Sequence, residues 1–129
     1  MLSWAHWLAV ALGGSLGAMG RFAVVQLVNR HNSGHFPWGT LTANVAGSFV
    51  IGLAFVFFAL KHTDPSGVGR SLVVVGMLGA FTTFSSFAIE SLVLIEQQHY
   101  VSATLYVVGS VLACLAAAAL GLGLAKLLF

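Results

Sequence analysis

Four long, nearly charge-free apolar runs, at about residues 4–28, 38–60, 71–95 and 102–128, constrain this chain more than any other feature. Each is at least as long as the roughly 20 mostly apolar residues that a helix needs to cross a bilayer core. A soluble core has no use for that much apolar length. Of 129 residues, 59% are hydrophobic and 6% charged, with a mean hydropathy of +1.00. The runs leave no room for a second unit, so residues 1–129 read as a single four-span, all-α integral membrane domain. The first run has no basic flank and stays apolar beyond twenty residues, unlike a cleavable signal. The single cysteine, Cys114, supports neither a disulfide framework nor a zinc site. A formal net charge of +2, thinly scattered, gives no footprint for nucleic acid.

The third run does not read as a plain lipid-facing helix. Its middle, Gly79-Ala80-Phe81-Thr82-Thr83-Phe84-Ser85-Ser86-Phe87, is crowded with hydroxyls and rings, and Gly76 and Gly79 stand at a spacing of three. Serine and threonine compete with the helix for backbone hydrogen bonds. Two conformations are open at this point. In one, the helix is continuous and its hydroxyls bond back to the preceding turn. In the other it is broken near its middle, and the freed backbone is buried in protein or lines a watery cavity. The broken form makes this stretch the functional centre.

The remaining polar residues fall into patterns. In the first span, Gly13 with Gly17 and Gly14 with Ala18 are small residues four apart, which lets helices approach closely. Arg21, late in that span, either snorkels to the interface or faces a water-filled vestibule. Residues 29–37 read as a solvated loop; His31 and His35 are four apart, but the intervening Asn-Ser-Gly argues against a helical metal site. In the second span, Thr40, Asn44 and Ser48 recur every four residues, a polar stripe about 12 Å tall on one helix face. An intramembrane asparagine can be interhelical glue, but a stripe of that height favours a pore wall. Glu90 is a carboxylate within a span, and Arg21, the only intramembrane cation, is its expected partner. In the last span Tyr106, Ser110 and Cys114 again share a face, beside a close-packing face of Ala113, Ala117 and Gly121.

These residues resemble the Fluc (CrcB) family of fluoride channels over nearly the whole chain. The matching pieces are Gly17-Ala18-Met19-Gly20-Arg21, Gly39-Thr40-Leu41-Thr42-Ala43-Asn44-Val45-Ala46-Gly47-Ser48-Phe49, the stretch from Gly79 to Phe87 with Glu90, and Tyr106 with Ser110. The resemblance implies an antiparallel, dual-topology homodimer in the bacterial inner membrane, with two fluoride pores. It implies pore phenylalanines at Phe84 and Phe87 and a pore asparagine at Asn44. It also implies a sodium ion at the dimer centre, held by the main-chain carbonyls of Gly79 and Thr82. Ser86 stands where threonine is frequent, and Cys114 where a third hydroxyl of the last-span track is expected.

The chemistry agrees with that expectation. Fluoride is small and a strong hydrogen-bond acceptor, so its path needs donors that replace water. Asn44, Thr40, Ser85, Ser86, Ser110 and Tyr106 offer them, and aromatic ring edges add attraction without tight binding. With a cytoplasmic N-terminus, Lys61, Arg70 and Lys126 fall inside and Arg21 and Arg30 outside, almost no bias, as insertion in both orientations requires. The rival is a proton-coupled exporter similar to the small multidrug resistance family, with four spans and dual topology. It needs a titrating carboxylate in the first span, and the acids here are Asp64, Glu90 and Glu96. A purely structural subunit leaves the polar stripes unexplained. An enzyme is not expected, because the spans hold no nucleophile–base pair.

Overall fold

The computed structural model describes residues 3–60 and 64–129. Helix α1 runs over Trp4–Arg30 and α2 over Trp38–Leu60. The third span, Val68–Glu96, is assembled from pieces: α3 (Val68–Arg70), a π-helical segment (Ser71–Leu78), α4 (Gly79–Phe81) and α5 (Phe84–Glu96). Helix α6, Tyr100–Leu128, completes the four helices, among the described residues, that are long and apolar enough to cross a membrane. No strand occurs among the described residues.

Local chemistry sets the start of the third span. Asp64 Oδ2 accepts the Arg70 N–H at 2.7 Å, Ser66 Oγ accepts the Val68 N–H at 3.3 Å, and Gly67 turns the chain at φ 79°. These side chains satisfy N–H groups that the first helical turn leaves open. Lys61 and His62, which the sequence places in this connection, lie outside the described residues.

Small residues decide the packing. A Cβ on Gly13 would strike the Leu72 carbonyl oxygen, and one on Gly17 the Met77 carbonyl oxygen. The glycine face of α1 therefore seats the backbone of the π-helical segment, as expected of a small-residue pair four apart. Gly14, by contrast, faces open space. His6 Nε2 meets the Ser66 carbonyl at 2.9 Å, so α1 and the third span start together and run parallel. The second parallel pair, α2 and α6, is joined where Gly52 meets the Ala118 carbonyl and Gly121 the Phe49 carbonyl. Between the pairs lies a small core of Leu94, Ala103 and Tyr106, with Phe36, Leu41 and Phe87 packed on it. Most other large apolar side chains, such as Leu12, Leu16, Leu105, Leu112 and Leu120, point outward, as a lipid solvent requires.

Candidate functional site at the break in the third span

The third span is discontinuous. After Phe81 the backbone leaves the helix: Thr82 lies at φ −87°, ψ 158° and Thr83 at φ −150°, ψ 125°. Thr83 then caps α5, its Oγ1 accepting the Ser86 N–H at 3.2 Å and donating to Ser86 Oγ at 3.2 Å. Side chains from neighbouring helices satisfy the opened backbone. Asn44 Nδ2 donates to the Thr83 carbonyl at 2.9 Å, and Asn44 Oδ1 accepts the Thr83 N–H at 2.7 Å. Arg21 Nε donates to the Ala80 carbonyl at 3.1 Å, setting a cation at the negative end of α4.

Beside the break lies an open groove of about 420 Å³, lined by Asn44, Gly47 and Ser48 of α2, by Gly79, Thr82, Thr83, Phe84 and Phe87, and by Ser110 and Cys114 of α6. It is mostly apolar, with a few polar groups. The Phe84 and Phe87 rings lie 5.5 Å apart, and Phe87 in turn packs against Tyr106 at 5.2 Å. Phe84 is 77% exposed although it sits at mid-span. Ser110 is 6% exposed and its Oγ, buried, has no hydrogen-bond partner. A serine hydroxyl in an apolar helix ordinarily bonds back one turn, as Ser91 Oγ does to the Phe87 carbonyl at 2.7 Å. Ser110 does not. It leaves an unspent donor at the wall of the groove. Cys114 lines the groove one turn further on.

The other sequence-predicted residues gather around Glu90. Thr40 Oγ1 donates to Glu90 Oε2 at 3.0 Å, and the buried Tyr106 hydroxyl donates to Glu90 Oε1 at 3.1 Å. The expectation that Glu90 pairs with Arg21 is corrected here. No ion pair joins them: Glu90 is bonded by the Thr40 and Tyr106 hydroxyls, and Arg21 Nε donates to the Ala80 carbonyl. The two charges instead face one cavity of about 290 Å³, which Thr40, Ser86 and Gln26 also line. Glu90 borders a further cavity of about 350 Å³ with Asn29, Asn32, His35 and Gln97, at the end of the bundle. Ser85 is exposed, 3.3 Å from Thr83 Oγ1, and lines none of these three cavities. His31 and His35 part company: His31 Nδ1 meets the Leu27 carbonyl at 2.9 Å, while His35 stacks on His99 with ring centroids 3.8 Å apart.

The donor set at Gly79 and Thr82 bears on the expected sodium. The N–H that closes a helical turn on the Gly79 carbonyl belongs to Thr83, and it donates to Asn44 instead. The N–H that would close on the Thr82 carbonyl belongs to Ser86, and it goes to Thr83 Oγ1. Both carbonyls thus lose their helical donors, and carbonyl oxygens released at a helix break suit a hard monovalent cation. Thr83 lies within the stretch that the sequence marks as the functional centre, and threonine is among the residues favoured at a helix N-cap.

Comparison with known proteins places these features in context. A family profile described as CrcB-like protein, Camphor Resistance (CrcB), matches residues 8–122. A protein of Hahella chejuensis named fluoride-specific ion channel FluC is 43% identical over 124 residues, covering 95% of this chain and 96% of that one. A protein of Opitutus terrae with the same name is 48% identical over 121 residues, 89% of this chain and 88% of its own. A third so named, from Magnetococcus marinus, is 44% identical over 119 residues, 92% of this chain and 96% of its own.

Proposed function

The chain belongs to the CrcB-like family, and from that premise we propose that it is a fluoride-selective channel, exporting cytoplasmic fluoride down its gradient. The observation that carries this reading is the buried, partnerless hydroxyl of Ser110, in a groove shared with Phe84, Phe87 and Asn44. A donor left unmade in an apolar place costs free energy unless a mobile acceptor meets it. Fluoride, the smallest and most strongly accepting halide, suits that vacancy of partner.

One N–H of the Asn44 amide is committed to Thr83, and the second remains for an anion. The positive edges of the Phe84 and Phe87 rings supply weak attraction, and weak attraction lets an ion leave as readily as it enters. The N-terminus of α5 opens at the same place, adding a partial positive charge. Further along, the hydroxyls of Thr40 and Tyr106 bond Glu90, and Ser86 and Arg21, a vestibule cation, line the same cavity as Glu90. Larger halides gain less from hydrogen bonds. Conduction of this kind involves no covalent chemistry, and the protein is not an enzyme.

An antiparallel homodimer with two pores completes the proposal. Phe84, exposed at mid-span beside an open groove, calls for a covering surface, and the near-even charge distribution allows insertion both ways. The carbonyls of Gly79 and Thr82 would hold a sodium ion at the dimer centre. Such an ion supplies fixed positive charge near the anion path. The bacterial inner membrane is the proposed location. A proton-coupled exporter would need a carboxylate in α1, which has none.

The deciding experiment is fluoride efflux from liposomes holding only this protein, followed with a fluoride electrode. Rapid fluoride release with no chloride release is expected, and release that slows when sodium is replaced by a large organic cation. Equal release of both halides, or none, overturns the channel reading.

A further inference from the structure

We infer that Asn44 is a positioning residue, whose side-chain amide stands in for a neighbouring strand and holds the break in the third span open. The inference rests on the channel reading only where it concerns transport. Thr83 is fully extended, and an extended residue turns its N–H and its C=O to the same side. In a sheet, one residue of the next strand would exchange both bonds with it. Here the Asn44 amide does so, accepting at 2.7 Å and donating at 2.9 Å. Among side chains, asparagine and glutamine alone offer a donor and an acceptor in peptide-like geometry. A pore donor needs only the N–H; the second, accepting bond is what marks a clasp.

The surroundings fix the register. One turn after Asn44, Gly47 admits the Thr82 γ-methyl and the Phe81 ring, so both extended residues are seated on α2. Ala43, beside Asn44, is fully buried. Without the clasp, two backbone groups at membrane depth lose their partners, and Thr83 leaves its extended geometry for a fluctuating one in which its N–H is bonded only part of the time. That would remove the N-cap of α5 and turn Phe84 and Ser86 away from where the break sets them. Asn44 thereby acts on conduction through the backbone of Thr83, whatever its second N–H does for the anion.

The test measures amide hydrogen exchange across residues 79–87 in the full-length protein in lipid nanodiscs, alongside fluoride efflux, for wild type, Asn44→Ala and Ser110→Ala. Asn44→Ala should speed exchange at Thr83 about tenfold or more and abolish most flux. Ser110→Ala should lower flux and leave exchange at Thr83 unchanged. Unchanged exchange in Asn44→Ala overturns the clasp and leaves Asn44 a plain groove donor. Fast exchange with wild-type flux overturns its bearing on conduction. Should Asn44→Ala fail to purify, Asn44→Asp keeps the acceptor and loses the donor, so the Thr83 carbonyl carbon resonance should move; a resonance that stays put overturns the inference. Absence of flux from wild type strikes the channel reading alone, since exchange still decides the clasp.

Discussion

Gly47 lies directly beneath the γ-methyl of Thr82: a Cβ added at Gly47 would collide with that methyl and come within 3.1 Å of the Phe81 ring. The break in the third span is therefore built against α2 with no room to spare at this point. Gly47→Ala should destabilise the protein by about 1–3 kcal/mol through overpacking and displace Thr82. Gly123→Ala, where the added Cβ meets nothing within 4 Å, is the control. Thermal unfolding in detergent checks both, and equal midpoints for the two variants would count against the tight seat.

Glu90 draws its two hydrogen bonds from different helices, Thr40 on α2 and Tyr106 on α6. Tyr106→Phe removes one donor while keeping the buried ring. Hydrogen bonds to charged groups contribute about 1.5–3 kcal/mol each, so a loss of that order is expected. Thr40→Val should cost a similar amount, and the double variant less than the sum, because both act on one carboxylate. Thermal unfolding of the four proteins forms the cycle. Strict additivity would mean that the two hydroxyls do not share Glu90.

Asp64 gives the start of the third span a dependence on acid. Its carboxylate accepts the Arg70 N–H at 2.7 Å, and that bond, foremost, holds its pKa below the ordinary carboxylate value. A depressed folded pKa means stability that is present above the unfolded value, about 3.9 for aspartate, and lost as pH falls through the folded one. Protection of the amides at Val68–Arg70, taken relative to their intrinsic exchange rates, should fall at acid pH in wild type. Asp64→Asn should show lower protection at neutral pH and little further loss on acidification. Equal protection in the two proteins at neutral pH would remove Asp64 from this role.

The break was legible because two threonines, two serines and nearby glycines have no business in a lipid-facing turn. What satisfies the break was not. The spacing of Thr40, Asn44 and Ser48 gives a shared face, yet it says nothing about which atom bonds which, and Asn44 turns out to hold Thr83 at both its N–H and its C=O. Opposite charges made Arg21 the natural partner of Glu90. Pairing across 69 positions of chain depends on tertiary distance, and Glu90 is bonded instead by hydroxyls of α2 and α6. The π-helical segment Ser71–Leu78 left no trace in composition. Its seat is supplied by Gly13 and Gly17 on another helix, a close-packing pair whose spacing does not say which backbone it receives.

Phe84 and Phe87 offer the sharpest separation of pore chemistry from packing. Both line the groove with Ser110, their rings 5.5 Å apart, yet Phe84 is largely exposed while Phe87 packs against Tyr106. If ring edges attract fluoride, the aromatic quadrupole matters and apolar volume does not. Phe84→Ile and Phe87→Ile keep most of the bulk, so simple packing positions would lose about 1–2 kcal/mol of stability and little flux. Phe84, touching little within the chain, should lose almost no intrinsic stability, whereas Phe87 should lose more because its contact with Tyr106 goes too. Both variants should nonetheless lose most fluoride efflux while eluting as wild type does on size exclusion. Methionine at either site retains a polarizable, adaptable side chain and should recover part of the flux where shape rather than ring charge dominates. Wild-type efflux from both isoleucine variants would defeat the ring-edge mechanism even with fluoride transport itself established.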